Sequence, residues 1–154
     1  SCCLSNINKK CKLTVYPDGL GANTLSPVDE SIPELKIDVS CKRLDNYELN
    51  QVDYIKIDVQ YHELEVIEGS IETLKRNNPV LCIEAARRNQ DELNYVNKFV
   101  NILRALNYRI VGEAGKKELI FMKWIIKIYL IILVSRFNND KKITIHIPKK
   151  GDNF

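Results

Sequence analysis

The stretch "IKIDVQYHELEVIEGS", residues 55–70, changes its periodicity part-way. Up to Val59 it belongs to the β-branched, mostly apolar run "VDYIKIDV", the pattern of a buried strand. From Glu63 onward, Leu64, Ile67, Ile71 and Leu74 fall at helical spacing. A strand that hands over to a helix within four residues is half of a crossover connection. It restricts the chain to sheets covered by helices. Asp58 stands at the junction, where the apolar run stops.

The same alternation continues downstream. "NPVLCIEA" reads as a second buried strand, with Pro79 at its entrance. "DELNYVNKFVNILRALN" reads as a second amphipathic helix, whose buried positions are expected at Leu93, Val96, Phe99, Val100, Leu103 and Leu106. "YRIVGEAGKKELIFMKW" reads as two strands joined through a glycine turn. Upstream, Lys12–Tyr16 reads as a strand that breaks into a Pro/Gly turn, and Leu35–Val39 alternates apolar with polar, as a half-exposed strand does. Acidic side chains crowd the start of the 63–78 helix, and Lys75 and Arg76 its end, which suits the helix dipole. The expectation is an α/β fold with a mostly parallel sheet, closed by an antiparallel C-terminal hairpin.

In open α/β sheets, ligands bind outside the carboxyl ends of the strands. Asp18 with Gly19, Asp58, and Glu84 fall at such ends. Asp58 either caps the following helix or orients a ligand and takes its proton. His62 is a general base or a solvent-facing first-turn residue. Glu63 caps that turn or faces the ligand. Glu84 ends an apolar strand, so its carboxyl is partly desolvated and suited to a task; an ion pair with Arg87 or Arg88 is the rival reading. "DGLGAN" lacks the GxGxxG spacing of a phosphate loop and reads as a plain turn.

With 154 residues and a net charge of +3, the chain has one domain's length and no overall charge that demands a nucleic-acid partner. Residues 1–114 carry 14 basic and 17 acidic side chains, and residues 115–154 carry 9 and 3, so the excess positive charge lies in the tail. Five cysteines, odd in number and without a CxxC or a zinc spacing, imply reduced thiols, a cytoplasmic protein and no metal site. "WIIKIYLIILV", residues 124–134, is apolar but too short for a transmembrane helix of about 20 residues. It reads as a buried strand or helix, with a membrane-surface or partner segment as the alternative. No Ser/His/Asp triad, Walker loop or nucleic-acid motif is present.

The block "LDNYELNQVDYIKIDVQYHELEVIEGSIETLKRNNPVLCIEA" closely resembles the central block of FkbM-type methyltransferases. Leu44-Asp45, Asp53, Ile55 to Val59, Glu63, Gly69, Pro79 and Glu84 carry the match. Gln60 stands where the family usually has Glu, and Tyr61 where it usually has Gly. The resemblance covers roughly residues 10–123. It implies a Rossmann-like class I methyltransferase sheet and S-adenosylmethionine as cofactor. It also implies a hydroxyl-bearing acceptor, a sugar, glycan or other small molecule. Asp58 would lie beside the transferred methyl, and His62, Glu63 and Glu84 on the acceptor side. Asp18, Gly19 and Leu20 would line the adenine side. The family's Gly-rich D-x-G-A-N-x-G loop does not occur in these residues. The expectation is therefore an N-terminally truncated domain at 1–123, with 124–154 as an apolar, then basic, extension. The alternative to an enzyme is an inactive methyltransferase-like module that binds a partner.

Overall fold

Two small sheets, rather than one, organise the described residues. In the computed structural model, residues 2–16, 23–25, 35–86, 88–115 and 117–123 are described, together with the backbone of 144–145. The first sheet has the order β1-β3-β2, from β1 (Cys3–Leu4), β2 (Lys9–Val15) and β3 (Leu35–Lys42). The second has the order β4-β5-β7-β6-β8, from β4 (Tyr54–Ile57), β5 (Val80–Glu84), β6 (Tyr108–Ala114), β7 (Glu118–Lys123) and β8 (Thr144–Ile145). Residues 17–22, which hold Asp18, Gly19 and Leu20, lie outside the described residues, as do 124–134.

The expectation of a mostly parallel sheet is corrected here. Among the described residues only β1–β3 and β4–β5 pair in parallel, and the other four pairings are antiparallel. The C-terminal hairpin accounts for two of these, β5–β7 and β6–β7. The chain turns at Gly115, whose φ of 72° suits glycine. It then lays β7 between β5 and β6, antiparallel to both. The hairpin thus enters the sheet instead of extending its edge. β4 is the edge strand, so it is half-exposed rather than buried on both faces, and Tyr54 is open to solvent.

One hydrophobic core holds the second sheet to the helices. Leu81, Ile83 and Phe121 from the sheet pack with Val66 and Ile67 and with Val96, Phe99, Val100 and Leu103 of α3 (Gln90–Ala105). Leu93 was expected inside but is exposed, because the buried stripe of α3 runs through the 96–99–100–103 positions. Asn89 caps α3, its side chain accepting from the Glu92 N–H at 2.9 Å.

The periodicity of Leu64, Ile67, Ile71 and Leu74 predicts one helix, but the structure has two, α1 (Glu63–Glu68) and α2 (Ile71–Asn77). The break has a tertiary cause. Asp45, in the 3₁₀ turn Leu44–Tyr47, reaches across to the new helix start. Its Oδ1 accepts from the Thr73 N–H at 2.8 Å and the Thr73 hydroxyl at 2.9 Å. Its own N–H donates to the Gly69 carbonyl at 3.0 Å. Arg43 holds the other carboxylate oxygen at 3.3 Å and bonds the Asn6 and Glu68 carbonyls as well. The "LD" aspartate is therefore a helix cap supplied from a distant segment. Asp45→Ala should cost about 2–3 kcal/mol, the worth of a charge-assisted cap with a nearly buried acceptor. Asp45→Asn should cost less, and urea unfolding of both variants measures the difference.

Candidate active site

The β4–β5 register builds the site. Ile57 lies opposite Ile83, so the next residue of β4's exit, Asp58, falls beside Glu84 at the end of β5. Parallel pairing puts both carboxyls at the same edge of the sheet, where α/β ligands bind. Asp58 does not cap α1: His62 occupies the N-cap position and makes no side-chain cap bond.

Gln60 joins the two carboxyls. Its Nε2 donates to Asp58 Oδ1 at 3.3 Å and to Glu84 Oε2 at 3.2 Å. Lys56 approaches Asp58 at 3.3 Å, and Lys117, from the β6–β7 turn, approaches Glu84 at 3.5 Å. The neighbouring Glu84 carboxyl, ahead of Lys56 and the Gln60 amide, holds Asp58 below the usual carboxylate range against its burial. Glu84 moves the other way. Burial pushes it up first, then the hydrogen bond to Asp58 and the charge of Asp58, with Lys117 opposing. One acid of the pair is thus set to hold charge and the other to hold a proton longer. An ion pair of Glu84 with Arg87 or Arg88 was the rival reading. Among the described residues Glu84 pairs with Lys117, whereas Arg88 pairs with Glu92 at 2.8 Å, and Arg87 lies outside the described residues.

Glu63 is buried, and its Oε1 accepts from the Val59 N–H at 3.3 Å. Burial raises its pKa, while the backbone N–H groups of Glu63, Val59 and Tyr61 and the Tyr95 hydroxyl hold it down. With so many donors on it, this carboxylate ties down the chain between β4 and α1. That corner is strained: Gln60 has φ 51° and Tyr61 φ 66°. Two consecutive non-glycine residues in the left-handed region cost about 1 kcal/mol or more each. Thr24 secures the corner from the other side, donating its hydroxyl to the Gln60 carbonyl at 2.6 Å.

His62 turns away from the pair. Its Nε2 meets the Ser5 hydroxyl at 3.0 Å and its Nδ1 meets Glu65 at 3.5 Å. Burial lowers its pKa, against the raising charge of Glu65, so the ring is neutral at neutral pH. A cleft of about 180 Å³ opens over Gln60, Tyr61, Glu63, Glu84, Arg88, Tyr95 and Lys117, with Ala85, Ala86 and Val96. Of the four expected catalytic residues, Glu63 and Glu84 line the cleft, Asp58 is bridged to it by Gln60, and His62 stands outside it.

Lys117, Tyr95 and Arg88 were not expected in the site. Lys117 sits in a lysine-rich turn that reads as solvated surface, and Tyr95 shares a helix face with Phe99, which reads as core. Among the described residues no group of His, Cys, Asp and Glu is placed to hold a metal ion, and no helix is long and apolar enough to cross a membrane. The family model of the methyltransferase FkbM domain matches residues 5–110. The chain belongs to the FkbM methyltransferase family. The match covers Asp58, Glu84 and the Gln60–Tyr61 corner of this FkbM domain, while Lys117 lies beyond it. A crystal structure of methyltransferase FkbM from Methylobacillus flagellatus KT is similar at 16% identity, over 55% of this chain and 23% of that one, with a TM-score of 0.45. The FkbM chain described here thus spans less than a quarter of that protein. No curated protein matches it.

Proposed function

We propose that this domain transfers a methyl group from S-adenosylmethionine to a hydroxyl oxygen, most simply of a sugar. The observation that carries this reading is the unequal acid pair at the strand ends, with a single amide, Gln60, bridging both acids. S-adenosylmethionine would supply an electrophilic methyl group on a cationic sulfur. Asp58, kept anionic, would complement such a cation. Glu84, with its pKa raised, would take the proton that the acceptor hydroxyl loses as its oxygen gains the methyl carbon and the methyl–sulfur bond breaks, leaving S-adenosylhomocysteine. Gln60 keeps the two carboxyls in register, and Lys117 stabilises Glu84 when it is charged. The domain's remaining work is to position the two reactants.

Thermal unfolding with and without S-adenosylmethionine tests the reading. A ligand at 100 times its Kd stabilises the folded state by about 2.7 kcal/mol, which moves the midpoint by several degrees. Asp58→Ala should abolish most of that rise. A chain that melts cooperatively at an unchanged midpoint in saturating donor would sink the methyltransferase reading.

A further inference from the structure

Gln60 bridges Asp58 and Glu84 only while the corner between β4 and α1 keeps its two strained residues in place. Gln60 has φ 51° and Tyr61 φ 66°. Neither is glycine, so a return of either to negative φ is downhill unless something outside the corner opposes it. Such a return would swing the Gln60 side chain with its backbone. The bridge has little reach to spare. Its Nε2 donates to Asp58 at 3.3 Å and to Glu84 at 3.2 Å, both near the limit of a hydrogen bond.

Glu63 and Thr24 hold the backbone at the Val59 N–H and the Gln60 carbonyl. Tyr61 is held from α3. Arg88 Nη2 donates to Tyr61 Oη at 2.7 Å, and Tyr61 Oη donates to Glu92 Oε1 at 2.8 Å. The two charged residues are also fixed to each other. Arg88 Nε donates to Glu92 Oε1 at 3.1 Å, and the Arg88 N–H donates to Glu92 Oε2 at 2.7 Å. Asn89, by capping α3, fixes the Glu92 backbone as well. The Tyr61 hydroxyl thus sits between a cation and an anion that are already paired and rooted at the start of a 16-residue helix. The Arg88 guanidinium and N–H, and then the Tyr61 hydroxyl, bring Glu92 down to about 2, so the anion persists through the neutral range. Hydrogen bonds to charged groups are among the stronger ones in proteins. Two of them on one hydroxyl are of the same order as the strain of two left-handed residues.

We infer that Tyr61, Arg88 and Glu92 form a lock that positions Gln60 across the Asp58–Glu84 pair. They are positioning residues, acting on the two acids through the corner. The inference rests on the reading of that pair as the methyl-transfer site, and its test needs neither donor nor acceptor. The side-chain amide of Gln60 is assigned by ¹⁵N NMR in the full chain. Bonded to two carboxyls, it should resonate away from free glutamine and exchange slowly with water. Tyr61→Phe keeps the ring and the strain but removes both bonds to the hydroxyl. In a chain that still melts cooperatively, the Gln60 amide should then move most of the way to the free position. Its exchange should quicken about tenfold, the equivalent of one lost hydrogen bond. Tyr61→Gly removes the ring and the lock together, but glycine takes φ 66° without strain, so the Gln60 resonances should stay near native. A hydroxyl that only stabilises the fold would lower the melting point of Tyr61→Phe and leave the Gln60 signature in place, and that result overturns the lock. Equal loss of the signature in Tyr61→Gly and Tyr61→Phe also overturns it, because the ring, not relief of strain, would then decide the corner. Failure of the methyltransferase reading shows separately, as a native chain that S-adenosylmethionine does not stabilise while the Gln60 signature responds as expected.

Discussion

Gly69→Ala should destabilise the protein by about 3 kcal/mol or more, and the chain at 37 °C should then be largely unfolded or insoluble. The reason is contact, not backbone freedom. Gly69 has an ordinary φ of −79°, so alanine could adopt its conformation. The obstacle is the carbonyl of Ser5, which lies where a Cβ on residue 69 would have to be, with Asn6 close behind. That segment cannot easily step aside. The Ser5 N–H bonds the Lys42 carbonyl at 2.9 Å, which anchors it to β3, and the Asn6 side chain donates to Glu68 at 2.6 Å. Arg43 bonds both the Asn6 carbonyl and the Glu68 carbonyl. Inserting one methyl group against fixed backbone exceeds the usual 1–3 kcal/mol of an overpacked core, because no side chain is available to yield. Position 69 is also where α1 stops, so the clash would part the first sheet from the α1–α2 corner. Circular dichroism and urea unfolding read the effect directly. A variant within about 0.5 kcal/mol of native would mean that the first sheet does not hold α1 in solution.

Elements with their own periodicity were legible in the sequence, and the relations between them mostly were not. β5 and α3 follow from local pattern, because an apolar run between Pro79 and Ala85 and a 3.6-residue stripe each have one stable reading. The helix break could not be read this way. Leu64, Ile67, Ile71 and Leu74 keep helical spacing across it, and it is imposed by Asp45, 28 residues from Thr73. The insertion of β7 beside β5 is a non-local pairing of the same kind, and it turned an expected parallel sheet into a mixed one. Within the site, Asp58 and Glu84 were visible because each ends an apolar strand. Their contact depends on the Ile57–Ile83 register, which no local pattern states. Gln60 read as a lost charge, but in the structure its amide donates to two acids at once, which a third carboxylate could not do. Tyr61, where the resemblance has glycine, holds φ 66° with its hydroxyl bonded to Arg88 and Glu92.

Glu84→Gln should lower methyl transfer by about 10²–10³-fold, the usual worth of a positioned base, while leaving the chain as stable as the native one or more so. The stability half follows from the sign of the shift. A carboxyl whose pKa rises on folding is less at ease as an anion in the fold than in water. Its contribution to stability is therefore greatest when protonated and declines as pH rises from the ordinary 4.5 through the raised folded value. A neutral amide at position 84 escapes that penalty, so lost turnover in a chain that melts no lower cannot be ascribed to unfolding. The activity half has its own pH signature. Transfer should fall on the acid side as Glu84 takes up its proton, at a pH above the ordinary glutamate range. In Asp58→Asn the Glu84 midpoint should move down, because the hydrogen-bonded acid and its charge are among the causes that raise it; burial, the largest cause, remains. The ¹³C shift of the Glu84 carboxyl, followed by NMR against pH in both chains, reads the midpoint without an acceptor. Release of S-adenosylhomocysteine in the presence of an acceptor reads the rate. An unmoved Glu84 midpoint in Asp58→Asn would break the acid pair as a unit. Full turnover in Glu84→Gln would leave proton removal to water or the acceptor itself, and reduce the site to a positioning device.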